Sequence, residues 1–154
     1  LVLSTVHTNS AVAAITRLRD MGIESFLLAS SLRTIISQRL VRRLCSHCKT
    51  ENKPTVESVN IFGLDKNKSV FSAKGCDHCN HTGYQGRIAI AECIQIDKTL
   101  KDLIHNNASE NEISDYVFKD NQSIDKASID LIVSGVTSCE EIIRVNNIKE
   151  DASI

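Results

Sequence analysis

Cys45-Ser46-His47-Cys48 and, after 27 intervening residues, Cys76-Asp77-His78-Cys79 decide how this chain is read. Two residues between paired cysteines let both sulfurs of a knuckle face one point, and two such knuckles supply four thiolates. Zinc asks for that set, with sulfurs at about 2.3 Å in a closed tetrahedron. Gly75, ahead of the second knuckle, and Gly83 and Gly86 behind it allow the tight turns of a chain folded around an ion. Cys45, Cys48, Cys76 and Cys79 are therefore the expected metal ligands, with zinc as the first choice and an iron centre of the same geometry as the second.

Two disulfides would suit a secreted protein, but nothing in the sequence looks like a signal peptide or its cleavage site. A thioredoxin-type redox pair needs one such motif, not two. His47, His78 and His81 lie beside the knuckles and are possible ligands. Four cysteines already fill the tetrahedron, so the histidines are read as surface residues or as supports of the ligands. A closed four-sulfur site keeps no open position, which makes it structural rather than catalytic.

The 154 residues suffice for one domain or two small ones. Apolar residues make up 42% and aromatics 4%, with no tryptophan, so the core must be built from Leu, Ile, Val and Ala. No run of about 18 apolar residues marks a membrane span. Six cysteines, four of them in a metal pattern, point to a reducing, cytosolic compartment. The net charge of −1 hides an asymmetry: +5 over residues 1–53, +1 over 54–91 and −7 over 92–154. A basic front and an acidic back either face different partners or are ordinary solvated surface.

Leu1–Val6 is apolar and partly β-branched and reads as a strand buried on both faces, as in a parallel sheet; opening without a methionine, it looks like the middle of a longer protein. His7-Thr8-Asn9-Ser10 would then lie past the strand's carboxyl end, where open α/β sheets place their ligand chemistry. A helix capped by Asn9 or Ser10 follows, with Val12, Ile15, Leu18 and Met21 on one face and Gly22 as its stop. A second helix is expected from Ser25 to Leu44, with Leu28, Leu32, Ile35, Ile36 and Leu40 on its apolar face and Arg39, Arg42 and Arg43 sharing another.

Between the knuckles, the sequence predicts a short helix over 56–62 and a strand over 70–73. Arg87–Ile96 carries isoleucines at 88, 90, 94 and 96, the period-two signature of a strand, with Cys93 read as a packed thiol. The remainder is helical. Asp97 or Thr99 caps one helix, Ser109–Glu112 is a capping box opening a second, Ile124–Val133 is a third stopped by Gly135, and Thr137–Glu140 is a capping box opening a fourth. Cys139 falls in the first turn of that helix. Residues past 148 read as a frayed tail.

Four stretches together resemble one family, the secretion ATPases, hexameric motors of type II secretion and of type IV pilus assembly. Leu3-Ser4-Thr5-Val6-His7-Thr8-Asn9 resembles their histidine box. Gln38–Cys45 resembles the run into their metal-binding subdomain, and Gly75-Cys76, Cys79 and Thr82–Arg87 the run out of it. Gly135–Glu141 is similar to their C-terminal hairpin. The tetracysteine is carried by secretion and pilus-extension motors and absent from the retraction motors. Ser46, Ala91 and Ser25 depart from the family, which often has proline, an aromatic and proline there; none is an expected ligand.

The resemblance implies an α/β fold in three parts: residues 1–44 as the end of a RecA-like P-loop ATPase core, 45–86 as an inserted four-cysteine zinc subdomain, and 87–154 as a strand with a helical C-terminal subdomain. It implies a homo-hexameric cytoplasmic ATPase on the inner membrane of a Gram-negative bacterium, working with the cytoplasmic domains of secretion or pilus platform proteins. His7 would sense or polarise the γ-phosphate; the plain alternative is a histidine that merely caps strand and helix. The sequence holds no Gly-x-x-x-x-Gly-Lys-Ser/Thr loop and no acidic box for magnesium. ATP and magnesium are therefore expected in the full-length parent only, and the chain by itself is expected to be inactive. The competing reading is a zinc-ribbon module for nucleic acid or protein. Against nucleic acid stands the segment 45–87, which is barely basic and has only Phe62, Phe71 and Tyr84 for stacking.

Overall fold

The computed structural model describes residues 1–146. They form α1 (Ala11–Asp20), α2 (Ser25–Ser31), β1 (Thr34–Leu44), β2 (Thr50–Asn52), α3 (Val56–Phe62), β3 (Val70–Ser72), β4 (Tyr84–Gln95), α4 (Lys98–His105), α5 (Glu110–Val117), α6 (Ile124–Val133) and α7 (Cys139–Asn146). β1 pairs with β4, and β2 pairs with β3. The β2–β3 pair is antiparallel, with Glu51 opposite Phe71. The described residues gather into two compact units, each drawing on two separated stretches: Leu1–Gln38 with Ala91–Ile124, and Arg39–Ile90 with the described residues from Asp125 on. The mixed helix and strand content agrees with the expected α/β class. The expected tail beyond 148 lies outside the described residues.

The first unit is built around an aliphatic core. Val12 and Ile15 of α1, Leu28 of α2, Ile94 of β4, Leu100 and Ile104 of α4, and Ile113 and Val117 of α5 are buried together. Its helices start on the expected local signals. Ser10 accepts from the Ala13 N–H, Asp97 from that of Leu100, and Ser109 and Glu112 close a reciprocal capping box. Glu92 contributes something less usual. Its buried carboxylate accepts from the N–H of Ala11 at 2.5 Å, where α1 begins, and from that of Ile124 at 3.1 Å, where α6 begins. A negative charge suits both places, because the first N–H groups of a helix lack internal partners and carry its positive end.

Two expectations fail here. Leu1–Val6 is not a strand, and Leu1, Val2 and Leu3 are exposed. A strand exists by bonding to a neighbour, and no described strand lies alongside these residues. The helix expected over 25–44 is also wrong. It stops at Ser31, Leu32 turns extended, and the chain continues as β1. Ile35 and Ile36 follow Thr34, three β-branched residues in a row, which favour a pleated chain over a helix. In a strand, side chains alternate, so Arg39 and Arg43 share a face that Arg42 does not, and Ile36 and Leu40 stand exposed on the other parity from buried Val41.

The second unit holds β2, β3, α3, both knuckles and α7, with Val41, Leu44, Phe62, Val70, Ile90, Ile132 and Ile142 buried. α3 and β3 fall where the sequence predicts them. Thr55 caps α3, and Gly63 ends it in a left-handed conformation. The start of α7 is one residue off the expected box. Ser138, not Thr137, accepts from a helix N–H, that of Glu141 at 3.2 Å, while Thr137 donates its hydroxyl to the Arg42 carbonyl at 2.8 Å. On β4 the even parity holds, with Ile90, Glu92 and Ile94 buried; Cys93, on the opposite parity, is exposed rather than packed.

Candidate metal centre

Both knuckles are turns closed by their first cysteine. The Cys45 carbonyl accepts from the N–H groups of Cys48 at 3.3 Å and Lys49 at 3.0 Å. The Cys76 carbonyl accepts from Cys79 at 3.1 Å and His81 at 2.9 Å. The second turn is the tighter: Asn80 and His81 both take positive φ. That crowding needs glycine on either side. A Cβ on Gly75 would lie 2.6 Å from the His81 carbonyl oxygen, and one on Gly83 would lie 2.5 Å from the Ala73 Cβ.

The turns bring the four sulfurs to one point. Cys45 Sγ is 3.9 Å from Cys76 Sγ, Cys48 Sγ is 3.8 Å from Cys79 Sγ, and Cys76 Sγ is 3.7 Å from Cys79 Sγ. All four lie within 4.8 Å of one another. A tetrahedron with zinc–sulfur bonds of about 2.3 Å has edges of about 3.8 Å, so the observed spacing fits the ion. It does not fit disulfides, since bonded sulfurs sit about 2.05 Å apart. All six cysteines are free thiols. Among the described residues this is the one group of His, Cys, Asp and Glu side chains that converges closely enough to hold a metal.

The electrostatics separate the four thiols. Burial pushes the Cys48 thiol up to about 12, and it pushes Cys76 up as well. Burial opposes ionisation of Cys79 too, yet the Cys76 and Gly83 N–H groups and the neighbouring thiols outweigh it and bring Cys79 down to about 6. Both N–H groups stand 3.2 Å from its sulfur. A dipositive ion at the centre reverses the logic for the others, because a coordinating thiol is deprotonated outright.

The histidines do not join this group. His47 and His78 are exposed and stack on each other, with centroids 4.1 Å apart and planes 17° from parallel. His81 Nε2 meets Asp77 Oδ1 at 3.1 Å, again in solvent. Exposed Cys93 and buried Cys139 stand outside the cluster. His7 lies in the irregular, exposed segment ahead of α1.

Sequence reading missed the supports of the centre. Lys49, directly after Cys48, donates its ammonium to the Gly135 carbonyl at 2.8 Å and lies 4.5 Å over the Phe71 ring. Arg42 stacks 4.1 Å over the Tyr84 ring and pairs with buried Glu141, which also holds Arg144. Ser138-Cys139-Glu140-Glu141 has the spacing of a capping box as well as Thr137–Glu140 does, the one local signal that could have drawn attention to Glu141.

A family model described as "Type II/IV secretion system protein" matches residues 1–144. The chain belongs to that family. Among its relatives, the chain is 44% identical over 147 residues to the "Type II secretion system ATPase E" of Vibrio cholerae, covering 94% of the chain and 29% of that protein. It is 44% identical, with the same coverage, to the "Type II secretion system protein E" of Aeromonas hydrophila. It is 39% identical over 150 residues to the "Type IV pilus assembly ATPase TfpB" of Acinetobacter baylyi, covering 94% of the chain and 26% of that protein. The chain thus spans under a third of the length of the curated relatives it matches. No described helix of this secretion-family chain is long and apolar enough to cross a membrane.

Proposed function

We propose that the chain is the C-terminal portion of a cytoplasmic, hexameric ATPase that powers type II secretion or type IV pilus assembly. The observation that carries the reading is 44% identity across nearly the whole chain to a relative named a secretion ATPase. In this reading, residues 1–44 end a RecA-like core, 45–86 form the zinc-binding subdomain, and 87–154 supply the strand and the C-terminal helices. Cys45, Cys48, Cys76 and Cys79 hold one zinc ion; their mutual spacing supports this. The ion supplies folding energy and no catalysis, since four sulfurs leave no position for water or substrate. ATP and magnesium belong to the longer parent, which works at the inner membrane with secretion or pilus platform proteins, and the 154 residues alone neither bind nor hydrolyse nucleotide.

His7 is then the one residue of this chain with a part in turnover, donating a hydrogen bond or positive charge toward the γ-phosphate. The test is ATP hydrolysis by the full-length parent and by its His7→Ala variant. A loss of about 10²–10³-fold in kcat is expected, with the melting temperature held, because the side chain is exposed. A parent without ATPase activity overturns the reading, and a variant of normal activity removes His7 from it.

A further inference from the structure

Three residues adjoining the knuckles each grip the turn between α6 and α7. Leu44 precedes Cys45. Its N–H goes to the Val136 carbonyl at 2.8 Å, while the N–H of Cys45 goes to the Gly83 carbonyl at 2.9 Å, at the exit of the second knuckle. Lys49 follows Cys48. Its N–H closes the first knuckle on the Cys45 carbonyl, and its ammonium reaches the Gly135 carbonyl. Tyr84 follows Gly83, whose N–H donates to Cys79 Sγ. The Tyr84 hydroxyl shares a hydrogen bond of 2.7 Å with the Ser138 hydroxyl, which caps α7 by accepting from Glu141. The turn has little slack of its own: a Cβ on Gly135 would lie 2.5 Å from the Phe71 ring.

We infer that the four-cysteine centre and the α6–α7 turn are energetically coupled, with Lys49 as the positioning residue between them. A filled centre fixes the backbone of both knuckles, and with it the directions of the Leu44 N–H, the Lys49 ammonium and the Tyr84 hydroxyl. Those three groups fix the turn and the start of α7. Coupling of this kind is reciprocal: a turn held in place favours the knuckle geometry that binds metal. The inference rests on the proposed reading of the centre as a metal site.

The test is a zinc affinity, measured by filling the centre of the 154-residue chain with cobalt(II), read by its thiolate absorption, and displacing it with zinc. Lys49→Met keeps every cysteine and the apolar stem over Phe71 but loses the ammonium. It is expected to bind zinc about five- to tenfold more weakly, the low end of ordinary couplings. Hydrogen exchange gives the second readout. Zinc removal from the parent chain is expected to speed exchange over residues 134–142 and leave residues 98–117, in the other compact unit, unchanged.

If the parent chain takes up neither cobalt nor zinc, the metal reading and the coupling fall together. If the parent binds normally and Lys49→Met binds as tightly, or if 134–142 stay protected without metal, the coupling alone falls. Should Lys49→Met unfold, shown by lost protection over 98–117 too, Tyr84→Phe decides. It keeps the ring beneath Arg42 and loses only the bond to Ser138, so weaker zinc binding supports the coupling and unchanged affinity overturns it.

Discussion

Arg42 and Glu141, 99 residues apart, meet at three points: the Arg42 N–H on Oε1 at 2.9 Å, and Nε and Nη2 on Oε2 at 2.9 and 2.6 Å. Arg144 grips the same carboxylate at 2.7 and 2.9 Å. The Glu141 side chain has no exposure, whereas the two arginines keep part of theirs, 42% and 59%. One buried carboxylate thus ties β1 to α7 in the unit that holds the four-cysteine cluster, and fork-shaped guanidinium groups are suited to gripping it at two oxygens.

That arrangement sets a pH dependence. Burial works against the ionised form of Glu141, yet Arg144 and Arg42 outweigh it and hold its pKa at about 2. A folded-state pKa below the unfolded value means that the unfolded chain binds the proton more readily, so this stabilisation is complete at neutral pH. It is lost as the pH falls from about 5 toward 2. Glu141→Gln should be less stable than the parent chain at pH 7, and the gap should close across that interval. Urea unfolding at pH 7 and pH 3 measures it; a gap that stays constant with pH would remove Glu141 from the account.

Glu92 should matter most in the first unit. Glu92→Ala strips the acceptor from the Ala11 and Ile124 N–H groups inside a closed core. Leaving a buried donor unpaired costs about 1–3 kcal/mol, so a loss of about that size, from the Ala11 N–H, is expected in denaturant unfolding. Glu92→Gln keeps one acceptor oxygen and should lose less. Equal stability of Glu92→Ala and the parent chain would refute the double cap.

The metal itself is expected at one zinc per chain, found by elemental analysis of protein purified under reducing conditions. Chelation should unfold the knuckles, because metal binding and folding are coupled in such sites. Cys76→Ser should lose the ion and the local fold together. A well-folded chain with no metal, by the same analysis and a hydrogen-exchange map, would sink this prediction.

Neither Cys93 nor Cys139 should affect the zinc content. Cys93 is exposed, so Cys93→Ala should change stability by no more than about 0.5 kcal/mol. Cys139 is buried, and burial pushes its thiol pKa up, as befits a packed neutral side chain. Cys139→Ala should cost about 1 kcal/mol. Less than one zinc per chain in the double variant would place one of them at the centre.

The local parts of this structure were legible in the residues. A side chain capping an N–H three positions on is a short-range event, so Ser10, Asp97 and the Ser109–Glu112 box mark helix starts without help from the rest of the chain. The Cys-x-x-Cys spacing likewise carries each knuckle turn within itself, and the period of two over β4 carries its buried face. The resemblance to the secretion ATPases needed no more than such stretches, and the family comparison agrees with it.

Tertiary structure decided what depends on distant partners. Residues 25–44 carry apolar side chains that serve a helix or a strand, and the pairing of β1 with β4 settles the second half as strand. Leu1–Val6 has the composition of a buried strand, but composition supplies no ladder partner, and the segment stands exposed. Glu92 and Glu141 look like ordinary surface carboxylates in the sequence. They become buried clamps only where the fold brings N–H groups and arginines from 81 and 99 residues away to their oxygens. Burying a charge is costly unless such partners arrive with it, and residues that far apart in sequence meet only once the chain has folded.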